Sequence, residues 1–173
     1  EYFVADSAVY AFVINQSTAT FTKLPFTSDA LVKQVSAFRN YIYAYYMNTN
    51  SQTDDAYTQA LGNYADLAFR LYQKIWQPID NQLSEKVTVI NGGALNFLPF
   101  EALIAKPVPN IHQLKGYAYL LKNYEISYGY SANLLHRIAT AKNPKYTKQL
   151  LAFAPEFSAN DTRKLAPLAH NIP

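Results

Sequence analysis

The sequence predicts an α/β fold in which a β-meander and a long helical hairpin precede a mainly parallel sheet. Three observations carry this prediction. Residues 1–25 fall into short runs rich in Val, Ile, Phe, Tyr and Thr, parted by turn-formers. Residues 28–78 change to a spacing of three and four. From residue 86 to 173, short apolar runs bounded by turn residues enclose a helical segment, the pattern of a parallel sheet built from strand, helix and strand.

In order along the chain, Tyr2–Ala5, Ala8–Ile14 and Thr20–Leu24 read as the strands of the meander. They are separated by Asp6-Ser7 and Asn15-Gln16-Ser17, and Pro25 ends the third. A helix then begins, capped by Thr27 or Ser28 with Asp29 beside the positive end of its dipole, and Leu31, Val35, Phe38, Ile42 and Tyr45 form its apolar stripe. The polar segment MNTNSQTDD is a loop. A second helix starts at Thr53 or Asp54, and Tyr57, Leu61, Tyr64, Ala68, Leu71 and Ile75 repeat the rhythm until Pro78 stops it. Beyond it, Val87–Ile90, Glu125–Tyr128 and Leu150–Phe153 read as neighbouring or near-neighbouring strands, buried on both faces, of one mainly parallel sheet. Between the last two, Leu134, Leu135, Ile138 and Ala141 mark a helix capped by Ser131.

The stretch VTVINGGALNFLPFEALI, Val87–Ile104, raises the question of a phosphate loop. Such a loop needs glycines at fixed offsets and, in the Walker form, a Lys followed by Ser or Thr. A third glycine and the Lys are both missing, so Asn91-Gly92-Gly93 reads as a turn that needs positive φ. Pro99 then opens a short helix with Glu101 in its first turn, where a carboxylate is favoured.

Composition excludes several functions. The net charge of +3 is spread without a block of like charge, so no concentrated basic face exists for nucleic acid. Cysteine is absent, which removes disulfides, thiolate zinc sites and a thiol nucleophile. No run of about 18 apolar residues spans a bilayer and no signal-peptide layout opens the chain, so neither a membrane partner nor export is expected and the location expected is cytoplasmic. Glu1 in place of Met, and the loop-like ending LAPLAHNIP, make a piece of a longer protein the expectation.

Candidate chemistry is sparse. His112, His136 and His170 carry no metal-ligand spacing. Glu101 and Glu125 could form an acid/base pair, yet each sits among apolar residues where a cap or a strand-end hydrogen bond is commoner. Ser7, Ser28, Ser127 and Ser131 fall in turns or caps without a G-x-S-x-G elbow. The tyrosines of NYIYAYY are the margin of a core, or, in a less favoured reading, a ligand platform of Tyr41, Tyr43 and Tyr45.

The order of several segments resembles the CHAT domain, the caspase-like domain often fused behind tetratricopeptide repeats. The segments are EYFVADSAVYAFVI, LYQKIWQPI, ALNFLPFEAL, YLLKNYEISYGYSANLL and LLAFAPEF, and the resemblance they mark out extends over nearly the whole chain. The resemblance implies the N-terminal part of a caspase-like three-layer αβα sandwich, with residues 1–25 as its β-meander, 28–78 as its helical hairpin and 86–173 as the start of its sheet. Peptidases of this kind use a His followed by Gly after one strand and a Cys after the next. His170 is followed by Asn171 and precedes the next expected strand, so it does not match, and no residue of this chain is carried over as catalytic, cofactor-binding or metal-ligating. A His/Cys dyad, where the parent protein has one, then lies beyond Pro173. The expected function is that of a non-catalytic part of a bacterial CHAT protein, with a protein–protein interaction module as the alternative. Its partners would be proteins or a peptide substrate engaged through the full-length protein, without cofactor, and a last strand lacking its neighbour would favour self-association through the exposed edge.

Overall fold

The computed structural model describes residues 1–47 and 53–141, leaving out the side chains of residues 44–46. β1 (Tyr2–Val4), β2 (Val9–Ile14) and β3 (Ala19–Leu24) form the expected antiparallel meander in the order β1-β2-β3. The turn between β2 and β3 is held by Asn15, whose Oδ1 accepts from the N–H of Ser17 at 3.0 Å and of Thr18 at 2.8 Å. Alternation along β2 sends Val9, Ala11 and Val13 into the core.

α1 (Ser28–Met47) is capped by Thr27, whose Oγ1 accepts from Ala30 N–H at 3.3 Å. Leu31, Val35 and Phe38 on its stripe are buried and Ile42 is half-buried. α2 (Asp54–Leu71) has Thr53 as its cap, and Ala68 and Leu71 bury the continuation of its stripe. The two helices pack along each other, with the Phe38 and Tyr64 rings 5.5 Å apart. Pro78 does not stop the second helix. Its helical path loosens into a π turn at Tyr72–Trp76 and then tightens into a 3₁₀ helix at Gln77–Gln82, where Pro78 sits in the first turn and its missing N–H costs no bond. The widened turn places Tyr72, Ile75 and Trp76 in the core together.

β4 (Lys86–Ile90) and β5 (Glu125–Gly129) pair in parallel, with Val87 opposite Ile126 and Val89 opposite Tyr128. Leu150–Phe153 lie outside the described residues. The expectation of burial on both faces fails for this pair. One face turns Val87, Val89 and Ile126 inward, while the other carries a Lys86–Glu125 ion pair at 2.8 Å and a Thr88–Ser127 hydroxyl contact at 3.0 Å, all four residues exposed. These residues satisfy one another across the strands, so this part of the face needs no cover, while its far end, Ile90 and Gly129, is met by the following helix. α3 (Ala132–Thr140) starts at the Ser131 cap, whose Oγ accepts from Leu134 N–H at 3.1 Å, and sets Leu135 over Gly129. Within residues 1–139, which form one compact unit, the architecture is mixed α/β and compatible with a caspase-like fold.

The two glycines after β4 serve different needs. Gly93 has a φ of 56°, as the sequence expects of a turn. Gly92 is extended, and its reason is proximity: a Cβ there would stand 2.9 Å from the backbone oxygen of Tyr2. Gly92→Ala is therefore expected to destabilise by about 1–3 kcal/mol through forced displacement of β1. Gly62→Ala, in α2 with nothing within 4 Å of its Cβ position, should stabilise by about 0.5–1 kcal/mol. Urea unfolding of the two variants checks the opposite signs, and equal effects would contradict the packing.

Candidate functional site

In open α/β sheets, ligands gather outside the carboxyl ends of the strands, so the chain leaving β4 and the end of β5 mark the place to look. After Ile90, Asn91-Gly92-Gly93 turns the chain into a 3₁₀ segment at Gly93–Phe97, and Pro99 opens a second at Phe100–Ala102. Leu95, Leu98 and Phe100 point into the core and fix these turns. Phe97 stays outside, where the Arg39 guanidinium of α1 lies 5.1 Å from its ring centre. A shallow cleft of about 400 Å³ results, lined by Arg39, Tyr43, Phe97, Pro99, Glu101 and Tyr128 among others.

Tyr128 closes one side of this cleft. Its hydroxyl donates to Glu101 Oε2 at 2.6 Å and accepts from the Phe100 N–H at 3.0 Å. Desolvation of that hydroxyl, and next the hydrogen bond to Glu101, push the phenol well above its ordinary range. It stays protonated at any physiological pH and holds the Pro99–Ala102 turn against β5, a positioning task and not proton transfer.

The other sequence candidates disperse. Glu125 opens β5 in its ion pair with Lys86, while Glu101 meets Tyr128 three residues further on, about 10 Å along the strand, so the two carboxylates form no pair. His112 lies in an exposed turn and His136 on the exposed side of α3, and His170 is outside the described residues. No cluster of three metal-ligating side chains occurs among the described residues. Ser7 is exposed in the β1–β2 turn, Ser28 begins α1, Ser127 pairs with Thr88 and Ser131 caps α3. Tyr41 and Tyr43 are parted. Tyr43 borders the cleft with Arg39, whereas Tyr41 joins Tyr57, Tyr64 and Tyr119 around a separate cavity of about 280 Å³. The side chain of Tyr45 is outside the description.

Sequence reasoning missed a half-buried acceptor, Asp80. Asp80 takes the Tyr124 hydroxyl on Oδ1 at 2.5 Å and the Tyr72 hydroxyl on Oδ2 at 3.3 Å, joining the end of the second helix to the residue before β5. Nothing in the spacing of 72, 80 and 124 announces it. Burial, and then the hydrogen bond to Asp80, push the Tyr124 phenol up to about 12.

The chain matches the family model for the CHAT domain over residues 65–171, more than half of its length. The chain belongs to the CHAT family. That match agrees with the resemblance read from the segment order, and it places the chain in a caspase-like, peptidase-related family. No curated protein and no solved structure gave a significant match. The matched range begins inside α2 and takes in β4, the Glu101–Tyr128 contact, β5 and α3, so the cleft at the carboxyl end of β4 is built mainly from CHAT residues, with Arg39 and Tyr43 added from α1. No helix among the described residues is long and apolar enough to cross a membrane.

Two outcomes test this geometry. Tyr128→Phe leaves the Phe100 N–H without its acceptor and should cost about 1–3 kcal/mol in chemical unfolding, while Tyr130→Phe, at a residue 93% exposed, should change stability by less than about 0.5 kcal/mol. For Tyr124, the folded phenol is raised above the unfolded value near 10, so the folded state holds a proton that the unfolded chain loses. Its contribution to stability is complete below about pH 10 and declines as pH rises toward about 12. A ¹³C-tyrosine NMR titration should show one ring titrating near pH 12 that moves down in Asp80→Asn; an unmoved ring would contradict the assigned contact.

Proposed function

We propose that this chain is the non-catalytic, amino-terminal part of a CHAT-domain protein, a caspase- and separase-like cysteine peptidase or an inactive relative, whose His and Cys lie beyond Pro173. The observation that carries the reading is the complete absence of cysteine from a chain of a peptidase-related family. Without a thiolate there is no nucleophile of the kind that such chemistry requires. Residues 86–173 then supply the start of the caspase-like sheet, residues 28–78 the helical hairpin beside it, and residues 1–25 the meander. The Glu101–Tyr128 turn supports this reading, since it stiffens the carboxyl end of β4, next to which a reacting dyad in such a sheet would be set. Protein partners or a peptide substrate are engaged through the full-length protein, and exposed sheet edges are the surfaces open to self-association.

A second reading, a protein–protein interaction module without proteolysis, is favoured by one surface. The outer face of the meander exposes Phe3, Phe12, Ile14 and Phe21, with Phe12 and Phe21 in ring contact at 4.6 Å. Contiguous exposed aromatics of this extent mark contact surfaces more often than they occur idly.

The activity test is direct. Incubated with reporter peptides carrying Lys, Arg or Asp at the cleavage position, this chain should give no turnover above buffer, with or without a thiol-directed inhibitor. Turnover that persists through purification to homogeneity would overturn the reading.

A further inference from the structure

The pairing of β1, β2 and β3 sets the side chains on the outer face of the meander in three rows across the strands. Phe3, Tyr10 and Lys23 form the first row. Glu1, Phe12 and Phe21 form the second, since Glu1 and Phe12 exchange two 2.8 Å backbone bonds and alternation from the buried Tyr2 turns Glu1 outward. Ile14 and Ala19 make the third. Phe21 ties the first two rows together, its ring 4.8 Å from that of Tyr10 and 4.6 Å from that of Phe12. Even so, Phe3, Phe12, Ile14 and Phe21 stay 43–71% exposed. Rings packed side by side and left open on top make one half of a sheet-on-sheet contact.

Two charges on this face identify the other half. Glu1 sits on β1 at one side and Lys23 on β3 at the other, one row apart, or about 7 Å along the strands. A two-fold axis laid along β2 sets β1 of each copy over β3 of the other, and β2 over β2. Lys23 then covers the second copy's Phe3 with its stem, and its ammonium reaches the second copy's Glu1 in the next row. Symmetry makes the same pair twice. An axis laid across the strands through the second row would instead stack Glu1 on Glu1 and place Lys23 over Ala19, a contact of like charges without a partner for the lysine. The charges therefore fit the axis along the strands.

We propose that the outer face of the meander binds a second copy of this chain face to face, in a two-fold pair that sets Lys23 of each copy against Phe3 and Glu1 of the other. The inference rests on the second reading above, in which this face is a contact surface, and adds the partner. Three strands about 4.8 Å apart and about 20 Å long give a footprint at the low end of specific interfaces. The pair is therefore weak and depends on concentration. A contact through sheet edges would use backbone groups and be indifferent to both charges.

Sedimentation velocity from about 10 µM to about 1 mM tests it on the full chain, beside Lys23→Glu, Glu1→Lys, the double exchange of the two and Phe21→Ser. The unaltered chain should pass from monomer toward dimer over this range. Each single exchange turns two attractive pairs into repulsive ones and should raise the dissociation constant about tenfold. The double exchange restores both pairs with their roles swapped and should return the constant to within about threefold. Phe21→Ser, at an exposed position, should leave only monomer. A chain that stays monomeric throughout, a dimer that these variants do not change, or one that the double exchange does not restore would overturn the proposal. For a monomeric chain, a soluble paramagnetic agent separates this failure from that of the contact surface itself. Broadened Phe3, Phe12 and Phe21 ring signals would leave the face open to a different protein, whereas shielded rings would refute the contact surface as well.

Discussion

The passage from β4 to β5 is the constraint on which the rest of the unit depends. Residues 91–124 contain short 3₁₀ turns and one bridge, Ile104 with Tyr119, so few of their backbone groups are satisfied by a regular ladder. Yet Leu95, Leu98, Phe100, Leu103, Ile104 and Leu120 draw this passage into the core. Every peptide group carried inward needs a partner, and tyrosines supply several. Tyr64 from α2 donates to Ala102 O at 2.7 Å, Tyr117 to Ile111 O at 2.6 Å, and Tyr128 from β5 accepts from Phe100 N–H. A phenol offers apolar area and a polar tip together, which suits a passage both buried and irregular. Each bond adds only about 0.5–1.5 kcal/mol, but a buried carbonyl or N–H left without one would cost about 1–3 kcal/mol. The tyrosines thus act mainly by removing penalties that apolar burial would otherwise incur.

This explains which parts of the fold were legible in the sequence. The stripe Leu31, Val35, Phe38 and its counterpart Ala68, Leu71, Ile75 could be read because helix periodicity is local, and Thr27, Thr53 and Ser131 because a cap needs only the next three residues. Pro78 misleads, since a proline in the first turn of a 3₁₀ helix costs no bond, and here the chain enters that helix from a π turn whose Trp76 lies 5.7 Å from Phe100 ring to ring. Gly92 was read as a conformational need and is a steric one, set by Tyr2, which the sequence holds 90 positions away. The polar alternation Lys86, Thr88 and Glu125, Ser127 was visible, but the parallel-sheet expectation of two buried faces overrode it.

The candidate site follows the same division. Composition is legible directly: the chain has no cysteine, and its histidines stand far apart at 112, 136 and 170. Contacts between distant side chains are not. The Glu101–Tyr128 contact joins residues 27 apart and the Asp80–Tyr124 contact residues 44 apart, and one partner in each is a tyrosine, of which the sequence has 15. Because tyrosine is abundant, no single tyrosine stands out, and only the fold selects the few whose hydroxyls meet a carboxylate.

The family match begins at residue 65, yet the physical unit does not. Val9, Ala11, Val13 and Leu24 of the meander and Leu31, Val35 and Phe38 of α1 belong to the same buried cluster as Leu71, Ile75, Trp76 and Phe100 of the matched region. Removing residues 1–64 would uncover those large side chains at about 25 cal/mol per Å² of apolar surface, and would take away Tyr64, the donor to Ala102. It would also release Tyr2, whose hydroxyl bonds Ile75 O at 3.2 Å and whose ring lies 5.4 Å from Phe100. The stretch that shapes the carboxyl end of β4 is therefore held from both sides, by CHAT residues that form it and by the preceding strands and helix that press it into place.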